Sequence, residues 1–324
     1  MDRKKFSAAV DLGTNSFILT VVDEKGKLIF EKLVTVALGN EDEKMDIRIE
    51  RARDALKFFV EKLRRMNIER IHIFGTQFFR KNPELFELIL QGVEGLKLDN
   101  AEFKILTERE EALFSYLSVK FDPDMYSIEA PLVVDIGGGS VETVFEVFGG
   151  ISSNIEYHSF EMGVWKLTNR FISDFPIGQK IRRKMREFVM EHLDEKLPKN
   201  RDLVGIGGTF VTLANMFLKK SPPFDSFDQL NNTRIPKMWL EKMNEKLFEF
   251  DLSKIEKIEG LPKDRAKIIP GGSLLVLTLL ESFSKKDYFT VSSKGCRYSV
   301  AHFGFDLETP VRVLRTLQGG ERST

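Results

Sequence analysis

Apolar positions along the chain switch repeatedly between two periods, the alternation of a strand and the three-to-four spacing of a helix. Residues 7–37 read as three strands, with Asp23-Glu24-Lys25-Gly26 as the turn between the second and third. From Met45 to Met66, the residues Ile49, Ala52, Leu56, Phe59, Leu63 and Met66 fall on one helical stripe. Ile71, Ile73 and Phe74 form a short strand that ends at Gly75-Thr76. Asn82 followed by Pro83 predicts a helix over Pro83–Leu90 with Asn82 as its cap. A strand over Phe103–Leu106 leads to Thr107-Glu108-Arg109-Glu110, a capping-box sequence opening a helix to about Val119. Phe121-Asp122-Pro123-Asp124 is a turn and the expected boundary between domains at 1–124 and 125–305. Residues 306–324 are expected to be a partly helical tail whose end, from 319, is disordered.

The second half begins as the first does. Leu132, Val133 and Val134 are a buried-strand run, and Val141, Thr143, Phe145 and Val147 alternate as a second strand. Between them stand Asp135, Gly137, Gly138, Gly139 and Ser140. The chain's opening has the same form: a strand through Val10, then Asp11, Gly13, Thr14, Asn15 and Ser16, then the strand Phe17–Val22. One interval, 124 positions, separates Asp11 from Asp135 and Gly13 from Gly137. A repeat this long predicts two related half-domains facing each other. Ile155–Phe160 is a further strand, followed by a helix over Lys166–Phe171. A longer helix after Pro176 carries Lys180, Arg182, Arg183, Lys184 and Arg186, read first as a solvated face and second as the lining of a polyanion groove. Leu203–Ile206 runs as a strand into Gly207-Gly208-Thr209 and the helix Phe210–Leu218. Ile268 to Ser273 repeats that arrangement before a helix at Leu274–Phe283. Tyr288–Ser292 is a strand, Gly295-Cys296-Arg297 a turn, and Tyr298–Ala301 a last helix.

Composition narrows the function class. The chain has 324 residues, 42% hydrophobic and 30% charged, enough for two domains with cores. Lys+Arg and Asp+Glu are both 49, which argues against broad nucleic-acid binding. A single cysteine, Cys296, excludes an intramolecular disulfide and a multi-cysteine zinc site. No leader pattern precedes the first strand, and no apolar run reaches the ~18 residues of a membrane span, so a cytoplasmic protein is expected.

The glycine turns carry the chemistry. Three glycines leave backbone N–H groups uncovered by any Cβ, and such a concave turn suits a phosphate. Glycines opening a helix, as at Gly207-Gly208, are a second anion site, because free N–H groups and the helix dipole point the same way. Either turn also suits plain packing with no ligand. An acid at the mouth of a phosphate site calls for a hard cation such as Mg2+ between the two. A kinase, a phosphatase or ATPase, and a binder without chemistry all fit. A general base near the reacting phosphorus separates the first two from the third. Glu111 is the candidate, but it is one acid among Glu108, Glu110 and Glu111 in a helical first turn, where the dipole favours acids anyway.

The ordered set of motifs resembles the exopolyphosphatase/guanosine pentaphosphate phosphatase family of the actin-like ATPase-domain superfamily, over about residues 6–305. Asp11 to Ser16 is similar to D-[IL]-G-[ST]-N-S, Gly75-Thr76 with Arg80 to A-T-x-A-x-R, and Glu110-Glu111-Ala112 to E-E-A. Val134–Glu142 is similar to D-I-G-G-G-S-x-E, Met162-Gly163 with Lys166-Leu167-Thr168 to L-G-x-x-R-L-T, and Gly205–Thr209 to G-x-G-G-T. Arg265-Ala266 with Gly271, and Ser292 with Gly295 and Arg297, match the closing motifs. The resemblance implies an α/β chain of two actin-like (ribonuclease H-like) domains, mixed sheets flanked by helices, with a cleft between them. It implies hydrolysis of the terminal phosphoanhydride of inorganic polyphosphate or of pppGpp with Mg2+, and a homodimer by family habit. Glu111 would activate water. Asp11, Asp135 and Glu142 would hold the metal and order that water, which makes Glu142 catalytic as well. Gly13, Thr14, Asn15, Ser16, Gly137, Gly138, Gly139, Ser140, Gly207, Gly208 and Thr209 would cradle phosphates, and Arg80 would grip one bidentately.

Departures qualify the substrate. Ile18, Ala37 and Leu113 stand where the family has cations, Lys166 loses a guanidinium fork, and Glu84, Phe78 and Glu108 replace an Asn, a small residue and a Gly. Each lost charged hydrogen bond weakens grip by roughly 1.5–3 kcal/mol, which points to a shorter substrate or weak turnover. A non-hydrolysing sensor of nucleotides or polyphosphate is the alternative. An actin-like small-molecule kinase is the third reading, to be revived by transfer from ATP to a hydroxyl.

Overall fold

In the computed structural model the described residues are 5–66, 68–93, 98, 100–149, 152–193, 197–220 and 227–320. The chain divides into two compact units, the first comprising 1–118, 147–155 and 295–324, the second 119–146 and 156–294. In the first lie strands β1 (Phe6–Leu12), β2 (Ser16–Asp23), β3 (Leu28–Thr35), β4 (Arg70–Gly75) and β5 (Ala101–Ile105), in the order β3-β2-β1-β4-β5. β1 pairs antiparallel with β2 and parallel with β4, and β4 parallel with β5, so the C-terminal ends of β1, β4 and β5 share one edge. Helix α1 (Met45–Met66) buries Ile49, Ala52, Leu56, Phe59 and Leu63 against this sheet, as its stripe predicts. Burying such side chains stabilises by roughly 1.5–3 kcal/mol each. Helices α2 (Gln77–Lys81) and α3 (Pro83–Gln91) follow β4, and α4 (Glu108–Lys120) follows β5.

The sheet of the second unit is built from β6 (Pro131–Ile136), β7 (Val141–Gly149), β8 (Ser152–Phe160), β9 (Asp202–Ile206), β10 (Thr233–Pro236) and β11 (Tyr288–Val291). Its order is β10-β11-β9-β6-β7-β8. Read from β8, the first five strands reproduce the connectivity of the first sheet, with β10 added at the edge; the 124-residue interval is a repeat of architecture. Its helices are α5 (Val164–Phe171), α6 (Gly178–His192), α7 (Gly208–Leu218), α8 (Lys237–Glu249), α9 (Leu252–Ile255) and α10 (Ile269–Phe283). The last helices, α11 (Cys296–Phe303) and α12 (Glu308–Gly320), belong to the first unit. There the Tyr298 hydroxyl donates to the Gly26 carbonyl, and Arg297 Nε donates to Glu31 Oε1 at 2.8 Å in a buried pair.

Several expectations are corrected. Asn82 does not cap α3 with its side chain; it closes α2, a helix the pattern did not predict, and donates to Phe78 O at 2.8 Å. Ile268 to Ser273 is not a strand entering a glycine turn. Pro270 sits at the start of α10 and both glycines lie inside its first turns, where a Cβ on Gly272 would meet Thr209 Cγ2 at 2.8 Å. Close helix approach, not ligand access, explains Gly272. The basic face of α6 is only partly solvated: Arg182 donates to buried Asn244 at 2.7 Å, and Arg186 pairs with Glu281 at 2.6 Å. Of the tail expected to be disordered, Gly319 and Gly320 end α12, and 321–324 lie outside the described residues. Among the described residues no helix is long and apolar enough to cross a membrane.

Candidate active site

In the first unit the predicted residues collect at the C-terminal edge of the sheet. Asp11 stands near the end of β1, in register with Phe74 of β4, and Leu12 is in register with Gly75. The turn after β1 closes with Gly13 N donating to Ser16 O at 3.2 Å. A Cβ on Gly13 would lie 2.9 Å from that carbonyl, so the tight turn needs glycine. Thr14, Asn15 and Ser16 are buried. The Thr14 and Asn15 carbonyls are served by the loop after β3: Val36 N and Ala37 N both donate to Asn15 O at 2.9 Å, and Gly39 N donates to Thr14 O at 3.3 Å.

The three acids at the start of α4 separate cleanly. Glu108 is exposed. Glu110 makes the capping box, accepting from Thr107 N at 3.0 Å while Thr107 Oγ1 accepts from Glu110 N at 3.2 Å. Burial raises the Glu110 carboxyl, but hydrogen bonds from Lys104 and Thr107 outweigh it and hold the group below its ordinary value. Glu111 is only 8% exposed and accepts from Arg80 Nη1 at 2.6 Å. Arg80, on α2, also donates from Nη1 to Leu106 O at 3.0 Å. Leu106 N in turn donates to Gly75 O at 2.9 Å. So Arg80, expected on a phosphate, spends Nη1 on positioning Glu111 against the sheet edge.

In the second unit the turn after β6 has the same closure, Gly137 N donating to Ser140 O at 3.0 Å. Its carbonyls are served by the start of α5: Val164 N donates to Gly137 O at 3.1 Å, Trp165 N to Gly138 O at 2.9 Å and Gly163 N to Gly139 O at 3.2 Å. A Cβ on Gly163 would lie 2.5 Å from the Gly138 and Gly139 carbonyl carbons. Glu142 is buried, stands directly opposite Asp135 in the β6–β7 register, and accepts from Ser159 Oγ at 3.1 Å. Gly207 enters α7 at φ +86°, and a Cβ there would meet Asp135 Oδ1 at 2.6 Å. Ser140, Gly207, Gly208 and Thr209 thus gather with Asp135 and Glu142 around the strand ends of one sheet.

One cation was not singled out from the sequence. The guanidinium of buried Arg265 lies where a side chain on Gly208 would be, at the N-terminus of α7, and burial pushes it below its ordinary value. Its motif letter was legible, but its reach to α7 is a tertiary fact.

Among the described residues no group of three or more His, Cys, Asp or Glu side chains converges as a metal cage. Asp135 and Glu142 offer two adjacent carboxylates, which suits Mg2+, an ion usually held by one or two carboxylates with substrate phosphates completing its shell.

The model of the Ppx/GppA phosphatase family matches residues 16–301. The chain is similar to a crystal structure of the Aquifex aeolicus Ppx/GppA phosphatase, type II variant, at 26% identity and TM-score 0.69, covering 91% of this chain and 98% of that one. It also matches a structure of the Aquifex aeolicus PPX-GPPA enzyme at 26% identity and TM-score 0.73, with 92% and 99% covered. An exopolyphosphatase from Cytophaga hutchinsonii shares the fold at 22% identity and TM-score 0.77, with 93% and 98% covered.

Proposed function

The chain belongs to the Ppx/GppA phosphatase family, and on that premise we propose that it hydrolyses terminal phosphoanhydride bonds of inorganic polyphosphate or pppGpp, with Glu111 as the base. The buried Glu111 held by Arg80 at 2.6 Å is the observation that carries this reading. A carboxylate fixed at the edge where strands β1, β4 and β5 end is positioned to take the proton of an attacking water. Arg80 orients it. The Gly13–Ser16 and Gly137–Ser140 turns and the start of α7 bind phosphoryl oxygens through backbone N–H groups. Because neighbouring N–H groups serve the carbonyls of Thr14, Asn15 and the three glycines, those oxygens present less negative charge to a polyanion. When bound, Mg2+ would neutralise phosphate charge; Asp135 and Glu142 would hold it, with Asp11 as the corresponding carboxylate of the first unit.

The test is phosphate release from polyphosphates of several lengths, pppGpp and ATP, with and without Mg2+. Glu111→Gln should cut turnover by roughly 10²–10⁴-fold. Unchanged turnover would show the base to be misassigned. A binder without turnover is the second reading, favoured by the absence of charge at Ile18, Ala37 and buried Leu113. Binding of tripolyphosphate with no release from any substrate selects it.

A further inference from the structure

The two turns are served differently. In the second unit the donors belong to the start of a helix whose residues Val164, Trp165 and Leu167 are buried. In the first they belong to the irregular segment 36–39, which has no helix of its own and is anchored by the buried side chains of Val36 and Leu38. Ala37 takes φ +47° there, a conformation that costs a non-glycine residue of order 1 kcal/mol and persists only where surroundings impose it. Besides that anchoring, two contacts on the segment come from α1. Arg48 Nη1 donates to Leu38 O, and Arg51 Nη1 donates to Val36 O at 3.1 Å. The two guanidiniums therefore grip the carbonyls on either side of Ala37.

Arg48 is unusual in a second respect. It is 8% exposed, its Nε has no hydrogen-bond partner, and it forms no ion pair with a carboxylate among the described residues. Arg51 differs, being paired with Glu43. A buried cation with an unspent donor and no counter-charge is costly, so its persistence calls for a role.

We propose that Arg48 is a positioning residue for the phosphate site of the first unit. It locks segment 36–39 onto the Thr14 and Asn15 carbonyls and brings uncompensated positive charge behind the turn, with Arg51 as the second clamp. The chain thereby supplies from α1 the charge that Ile18 and Ala37 do not carry. The proposal rests on the hydrolase reading for its ligand, a phosphate chain, but not for its geometry.

The experiment uses the full chain and two readouts. Hydrogen exchange at the amides of Val36, Ala37 and Gly39 reads the clamp without activity. Arg48→Met should speed exchange there by roughly tenfold or more, leaving the amides of Gly163, Val164 and Trp165 unchanged. Kinetics with tripolyphosphate should show KM raised roughly tenfold and kcat within about twofold, with Arg48→Lys restoring part of the loss. If Arg48→Met fails to fold, Arg51→Gln is read the same way and should speed exchange at Val36 and Ala37. Unchanged exchange at the three amides, or equal acceleration in both units, overturns the proposal. A wild-type chain that releases no phosphate sinks the hydrolase reading instead and leaves the exchange result to stand.

Discussion

The two hairpins share a backbone and little else. Each closes with a glycine N–H on a serine carbonyl three residues on, and each carries an aspartate near the end of the leading strand. Opposite Asp135 stands Glu142; opposite Asp11, at the equivalent register, stands Ile18. The second unit thus takes its extra carboxylate from the hairpin itself, fixed by strand pairing. The first takes Glu111 from the start of α4, fixed by a helix cap and an arginine. The repeat preserved the glycine turn and let the side-chain chemistry diverge, so a role cannot be copied from one half to the other by position.

The sharpest way to break the symmetry is Gly163→Ala. Its Cβ would press on two peptide carbons of the second turn, and backbone has no rotamer to yield. Overpacking of this kind should cost about 3 kcal/mol. Urea unfolding would measure that loss, and phosphate release should fall with it. Wild-type stability in this variant would mean that α5 does not seat the turn.

A smaller break is Gly207→Ala. At φ +86° and ψ 174° the backbone is in a region that essentially only glycine adopts, so about 1–3 kcal/mol of strain is expected. The added Cβ also crowds Asp135. Mg2+ dependence of turnover should therefore shift to higher concentration, while a matched Gly178→Ala, with nothing within 4 Å of its Cβ, carries backbone strain alone and should leave that dependence in place.

These breaks mark what the sequence could reveal. Turn and strand were legible at both hairpins because glycine, aspartate and period-two alternation are local signals. The α1 stripe was legible because Ile49 through Leu63 all face one sheet. The capping box separated Glu110 from Glu111 in principle, since a glutamate bonded to its own helix start is already engaged there. The contacts of Arg48 and Arg265 were not legible, although Arg265 stood out as a motif letter. Each acts through a guanidinium laid against a backbone distant in sequence, and no local pattern encodes that reach. β10 was hidden because Arg234 and Pro236 suit a strand poorly by composition; the edge is where a proline is tolerated.

The finest adjustment bears on how the first unit holds its acid. Thr107→Ala removes one half of the capping box and should cost about 1 kcal/mol of stability. Because the cap sets the first turn of α4, Glu111 should lose some of its fixed orientation, and kcat should fall severalfold while KM holds. Acid separates the cap from other causes. Glu110 sits below its ordinary value in the folded chain, so its contribution is present above the ordinary glutamate range and fades as pH falls through the folded value. The stability gap between wild type and Thr107→Ala should therefore narrow on acidification below about pH 4. The Glu142 side of the second unit depends on strand register and has no such cap, so none of its variants should show that narrowing. A gap that stays constant from neutral to acid would mean that the Glu110 carboxylate contributes nothing to holding Glu111 in place.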